Sequence, residues 1–189
     1  GRRVRGEAAA ISVRAHQAAV RAARPGIHEY ELQAEVERVF RAADACPAYA
    51  SIVGAGGNGC VLHYVANTGK ARDGDLVLID AGAEYRNYAA DITRTFPVNG
   101  RYTREQRALH DLVGAAQAAA LACARPGVAF AALHETVVEG LSEGLLRLGL
   151  LKGPPEKCIA GEHNRQFNRH KTGHWLGLDV HDVGDYRID

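Results

Sequence analysis

The chain contains no methionine, a single tryptophan, and four cysteines that form no CxxC pair: Cys46, Cys60, Cys123 and Cys158. Without paired cysteines, neither a zinc knuckle nor a thioredoxin-type motif is indicated. Four cysteines in 189 residues are too sparse for a disulfide-dense secreted scaffold, so mostly buried, reduced thiols and a cytoplasmic location are expected. No charge sign dominates. Lys and Arg number 23 against 22 Asp and Glu, giving a formal net charge of +1, and there is no basic run. That balance gives no electrostatic case for nucleic acid or an anionic membrane surface. No stretch of about 18 apolar residues is present, so no transmembrane helix is expected, and there is no signal-peptide pattern. What remains is a chain with 47% hydrophobic and 24% charged residues, long enough for one full core or two small ones and unlike a disordered segment. Residue 1 is not an initiator methionine, and the sequence stops within a charged stretch at 184–189. Both features fit a piece of a longer protein.

Hydrophobic periodicity predicts a helix over residues 7–24, with Ala8, Ile11, Ala15, Ala18, Ala19 and Ala22 in helical register, ended by Pro25-Gly26. A second helix is predicted over 29–43, where Leu32, Val36, Val39, Phe40 and Ala43 share a face. Residues 48–53 and 61–65 read as short strands around a glycine-rich turn, 54–59. Residues 75–81 and 88–97 read as a hairpin with its turn within 84–87. Helices return after Thr103 and Gln106, which form a capping-box pattern, and again over the stretch carrying Phe130, Leu133, Val137, Val138, Leu141, Leu145 and Leu148. Gly149 stands where a C-terminal cap is expected. Residues 151–170 read as polar and irregular, and 174–183 as extended with a break at Gly177. The junction Arg24-Pro25-Gly26-Ile27 is echoed by Arg125-Pro126-Gly127-Val128, a hint of two similar halves.

Two groups of residues could carry chemistry. If the hairpin turn centres between Tyr85 and Arg86, Asp80 and Asp91 lie directly opposite on one face, with Cβ atoms roughly 5 Å apart. Like charges so placed repel unless a proton or cation sits between them, and oxygen ligands suit hard cations. Alternatively one aspartate caps the Asp80-Ala81-Gly82 turn and the register slips. The second group is histidine. His170, His174 and His181 fall in the last twenty residues, and His63 lies in an apolar segment; neutral imidazole serves as metal ligand or general acid–base. His170 and His174 have i, i+4 spacing, but Gly173 argues against a helix there. On a regular strand His174 and His181 would face opposite ways, unless Gly177 introduces a bulge.

Taken together, residues 47–67 (PAYASIVGAGGNGCVLHYVAN), 76–98 (LVLIDAGAEYRNYAADITRTFPV), 172–184 (TGHWLGLDVHDVG) and 24–32 (RPGIHEYEL) resemble the catalytic domain of Xaa-Pro aminopeptidases, in the pita-bread metallopeptidase family. The resemblance covers essentially the whole chain. It implies an α+β pita-bread fold, an antiparallel sheet with packed helices, truncated at the C-terminus, with residues 1–189 forming one incomplete catalytic domain. It implies two aspartate metal ligands, Asp80 and Asp91, and a histidine ligand, His174. His63, His170 and His181 are implied as histidines that handle substrate and protons without ligating. It further implies two divalent cations, most commonly Mn²⁺, and release of the N-terminal residue from peptides with proline second through a metal-bridging hydroxide.

The sequence departs from the family pattern where it stops. Two glutamate ligands, one of them the implied general base, lie further along in the family, as does a substrate-binding arginine, and a separate N-terminal domain is absent. The chain alone is therefore expected to be inactive. Asn168-Arg169 is also less apolar than the family usually has there. A prolidase acting on dipeptides shares the same site; Trp175 leans toward the aminopeptidase. A non-catalytic pita-bread binding module, or a metal-free creatinase-like amidinohydrolase, would have lost ligands, yet the ligand positions present are intact. The implied partner is a peptide substrate, with neither nucleic acid nor membrane, and the resemblance is compatible with a homo-oligomer.

Overall fold

The computed structural model describes residues 1–168 and 170–186, and the chain divides into two units: Gly1–Thr103 with Trp175–Val183, and Arg104–His174 with Gly184–Asp189. In the first unit, Ala8, Ile11, Ala15, Ala18 and Ala19 line the buried face of helix α1 (Arg2–Ala22). The helix starts earlier than the periodicity over 7–24 predicts, because the arginines ahead of Gly6 favour helix without contributing to the apolar stripe. It ends before Pro25, whose ring disfavours helical backbone in the preceding residue. Gly26 then adopts φ +89°, and the Ile27 amide donates to the Arg24 carbonyl at 3.2 Å. Helix α2 (Glu29–Ala42) buries Leu32, Val36 and Phe40. Its entry is fixed by a capping box in which Glu31 accepts from the His28 amide at 2.8 Å.

The strands are short: β1 (Cys46–Pro47), β2 (Ile52–Ala55), β3 (Leu76–Asp80), β4 (Ala83–Tyr85), β5 (Tyr88–Ala89) and β6 (Thr93–Pro97). They form two antiparallel three-stranded sheets, ordered β1-β4-β5 and β2-β3-β6. Leu32, Val36 and Phe40 of α2 and Ile11, Ala15 and Ala19 of α1 join Val53, Val77, Ile79 and Ala83 of the sheets, with Ala81 between strands, in one buried cluster. Burying each of the larger side chains, Leu, Val, Ile or Phe, contributes about 1.5–3 kcal/mol.

Two strand expectations need correction. The strand expected over 48–53 begins only at Ile52, and residues 61–65 form no strand. The apolar residues Val61, Leu62 and Val65 suggested one, but they are all more than half exposed. A 3₁₀ turn (Gly56–Cys60) precedes them, and His63 adopts φ +51°, which interrupts extended backbone.

The hairpin is present with a shifted centre. Arg86 and Asn87 both take positive φ, +49° and +66°, as in a type I′ two-residue turn. Tyr85 therefore pairs with Tyr88, and Glu84 with Ala89. Continued into β3 and β6, the same register sets Asp80 opposite Thr93. The turn lies one residue later than the sequence suggests, with Asn87 among the residue types that accept the left-handed region.

In the second unit, helices α3 (Arg104–Cys123) and α4 (Phe130–Arg147) pack through Ala116, Ala120, Val137 and Leu141, with Leu112 alongside. Their junction repeats that of the first unit: Gly127 has φ +85° and the Val128 amide donates to the Arg125 carbonyl at 3.1 Å. Gly149, at φ +72°, ends α4 as expected, and the Leu150 amide folds back to the Leu145 carbonyl at 2.9 Å. Residues 151–170, expected to be irregular, contain helix α5 (Pro155–Ala160) and a 3₁₀ turn (His163–Gln166), the former starting on Pro155 at its first position. Residues 174–183, expected to be extended, form bends rather than a strand. The glycine break is real: Gly177 donates to the Asp179 carbonyl at 3.1 Å, closing a turn within the segment.

Candidate metal centre

Asp80 ends β3, and Asp91 lies just before β6. The strict cross-strand pairing expected for them does not occur, since Asp80 faces Thr93. Asp91 is two residues from Thr93, so the alternation of side chains leaves it on the same face in the diagonal position. The two carboxylates nevertheless converge. The Tyr49 hydroxyl lies 2.5 Å from Asp80 Oδ1 and 2.8 Å from Asp91 Oδ1. All three side chains are half-buried.

Gly82 makes this convergence possible. A Cβ built on it would fall 1.6 Å from the Ala90 carbonyl oxygen. Only a residue without a side chain lets the backbone ahead of Asp91 pass so close to the backbone after Asp80. The 81–83 segment is also held from α1. The Ala83 amide donates to Ser12 Oγ at 2.9 Å, and His16 Nε2 lies 3.0 Å from the Ala81 carbonyl. Because a carbonyl only accepts, Nε2 carries the proton. Burial pushes the His16 pKa below its ordinary value, with the nearby Arg94 charge acting in the same direction, so the ring is neutral near pH 7.

Asp80 and Asp91 are like charges brought close together. Burial raises the Asp80 pKa; the Tyr49 hydrogen bond opposes that, and the neighbouring Asp91 charge adds to it. The Tyr49 phenol is pushed well above its ordinary range, by burial first and then by Asp80. Two carboxylates, one ending β3 and the other two residues before β6, offer oxygen donors that fit a hard divalent cation. Among the described residues, no group of three or more His, Cys, Asp and Glu side chains lies close enough together to hold a metal ion, so the aspartate pair stands as a two-residue donor set.

His63 is exposed on the loop between β2 and β3. His181 belongs to the 175–183 segment of the first unit, which is fastened by the Ala89 amide to the Gly177 carbonyl at 2.9 Å and by Arg5 Nη1 to the Leu176 carbonyl at 3.1 Å. His170 and His174 belong to the second unit, His170 exposed and His174 half-buried. Beside it, Thr172 Oγ1 lies 2.8 Å from His134 Nδ1.

Sequence reasoning missed four residues that shape this region: Tyr49, Ser12, His16 and Glu29. Glu29 alone left a signal, since it continues the Leu32, Val36 and Phe40 stripe toward the start of α2 and so had to be buried.

The sequence matches metallopeptidase family M24 over residues 6–189, and the chain belongs to that family. The Xaa-Pro aminopeptidase of Escherichia coli is 48% identical over 180 residues, 95% of this chain and 41% of that protein. The structure of aminopeptidase PepP from Pseudomonas aeruginosa superposes with a TM-score of 0.97 at 51% identity, covering 98% of this chain and 42% of that one. Zinc-substituted aminopeptidase P of E. coli in complex with product superposes with a TM-score of 0.95 at 48% identity, covering 97% of this chain and 42% of that one. The chain thus has the pita-bread fold of these peptidases, and it spans about two fifths of the length of the relatives it matches.

Proposed function

We propose that this chain is the part of an Xaa-Pro aminopeptidase that supplies Asp80, Asp91 and His174 as metal ligands and His63, His170 and His181 as groups that handle substrate and protons. The observation that carries this reading is the meeting of Asp80, at the end of β3, and Asp91, just before β6, at one hydroxyl, Tyr49 Oη. Its substrates are peptides with proline second, and its cations are divalent, Mn²⁺ foremost. When bound, such a cation pair supplies Lewis acidity and a nucleophile at neutral pH. The chain's own residues do the rest. The aspartates hold their charge in a fixed place, and His16 and Ser12 keep the 81–83 backbone from shifting under it. His63 and His181 donate hydrogen bonds to charge developing on the scissile carbonyl, a contribution of about 10²–10³-fold in rate for each such donor. The four cysteines are free, and only Cys158 is buried where most were expected to be; their free state supports placing the protein in a reducing compartment, the cytoplasm.

The test is to supply a protein containing this chain and the remaining segments of an aminopeptidase P with Mn²⁺ and an Xaa-Pro-Yaa tripeptide. Release of the first residue from the tripeptide is expected. Cleavage confined to Xaa-Pro dipeptides would instead make it a prolidase, and no cleavage of either would leave a binding module.

A further inference from the structure

Glu29 is 1% exposed, yet its carboxylate meets four neutral donors, all from one stretch of chain. Oε1 accepts from the Ala55 amide at 2.8 Å and from Asn58 Nδ2 at 2.9 Å. Oε2 accepts from the Tyr64 hydroxyl at 2.8 Å and from the Gly69 amide at 2.6 Å. Burial pushes the carboxyl pKa up, but these four bonds together bring it below its ordinary value, so the group is ionised. A buried carboxylate is costly unless it is fully hydrogen-bonded, and at this stripe position an aliphatic side chain would complete the apolar face of α2. What the acid provides instead is a grip on residues 55–69.

That grip is doubled one helical turn further along. Asn67, buried at φ +48°, accepts from the Val53 amide at 2.9 Å and donates to the Ser51 carbonyl and to Gln33 Oε1, each at 2.8 Å. Glu29 and Gln33 are thus successive contacts of one helix face with one loop. Gly69 permits the approach, since a Cβ there would lie 2.7 Å from Glu29 Oε1. Between the two anchors sits His63, in the left-handed region and immediately before Tyr64, whose hydroxyl is one of the four donors. A non-glycine residue keeps such backbone only when its surroundings impose it.

We propose that Glu29 is a positioning residue of the peptidase site: by binding Ala55, Asn58, Tyr64 and Gly69 at once it holds the 55–69 loop in the conformation that presents His63 to substrate. The inference rests on the substrate-handling role proposed for His63. In Glu29→Gln the amide nitrogen faces backbone donors and cannot accept from them, so at least one buried N–H loses its partner.

The experiment is a double-mutant cycle in the metal-loaded, full-length enzyme, reading kcat/KM on an Xaa-Pro-Yaa peptide, bound Mn²⁺, and hydrogen exchange at Ala55 and Gly69. His63→Ala is expected to lose about 10²–10³-fold, and Glu29→Gln about 10–10²-fold, as a displaced group does. The double variant should match His63→Ala within about twofold, with metal content unchanged and exchange faster at Ala55 and Gly69 but not in α1. Losses that multiply, or that follow metal content, overturn the positioning role while leaving the proposed function intact. Full activity in His63→Ala overturns the role of His63 and this inference with it. Should Glu29→Gln fail to fold, Tyr64→Phe removes one donor only and carries the same cycle, with the same non-additivity expected.

Discussion

Asp80 pairs across the β3–β6 ladder with Thr93, and so stands diagonal to Asp91 rather than opposite it. The diagonal leaves room between the carboxylates, which the Tyr49 hydroxyl occupies. A separation bridged by one small group is also what a cation held by both would need.

Removing either charge should therefore weaken cation binding strongly. Two unit charges 4 Å apart at an effective dielectric of 20 interact by about 4 kcal/mol, so Asp80→Asn or Asp91→Asn is expected to cost more than about tenfold in Mn²⁺ affinity. Titration calorimetry on the 189-residue chain reads this directly. Equal affinity in wild type and both variants would remove the pair as a metal site.

Gly82→Ala tests the close passage of the two backbones. Its Cβ would fall 1.6 Å from the Ala90 carbonyl, which no flexible side chain can relieve. Overpacking of this kind costs about 1–3 kcal/mol or more. Urea denaturation should show a loss at or beyond the top of that range, together with weaker Mn²⁺ binding. An alanine variant as stable as wild type would show that the 81–83 and 90–91 segments are looser than described.

The ionised Glu29 makes a defined contribution to pH dependence. Its folded pKa lies below the ordinary 4.5, so between the two values the unfolded chain binds more protons. The stabilisation is present above about pH 4.5 and is lost as pH falls through the folded value. The stability difference between wild type and Glu29→Gln should accordingly shrink on acidification below pH 4.5 and be flat above it. A difference that grows with acid would mean that Glu29 is protonated in the folded protein.

The 189-residue chain by itself should be without peptidase activity. Of the ligands proposed for the site it carries Asp80, Asp91 and His174, and a two-metal site needs further bridging carboxylates. Mn²⁺ should bind weakly, with one ion at most, in calorimetry. Turnover of an Xaa-Pro-Yaa peptide at an enzymatic rate, on the order of 1–10³ per second, would contradict this.

In the complete enzyme His181→Ala should lower turnover by about 10²–10³-fold with little change in bound metal. Parallel loss of both would make His181 a ligand and reverse its proposed role.

Much of the fold was legible because helices announce themselves locally. The alanine face of α1, the Leu32-Val36-Phe40 stripe of α2 and the Pro-Gly junctions specify elements from nearest-neighbour chemistry alone. The aspartates were legible as a pair through strand alternation, but their register was not. It depends on whether Arg86-Asn87 or Tyr85-Arg86 turns the hairpin, a choice between weak local signals. The strand expected at 61–65 failed for a related reason: apolar residues next to a histidine look extended until the backbone is known to be held by Glu29 and Asn67.

By itself, then, the sequence determined helices α1 to α4, the hairpin and the family, since each follows from periodicity or from a run of specific side chains. The tertiary structure alone decided that Tyr49 joins Asp80 to Asp91, that Ser12 and His16 bond the 81–83 backbone, and that Glu29 binds the loop bearing His63. These contacts join residues up to 71 positions apart. Hydrogen bonds at such separations leave no periodic trace, because they are fixed by how packed elements meet and not by the neighbours of each residue along the chain.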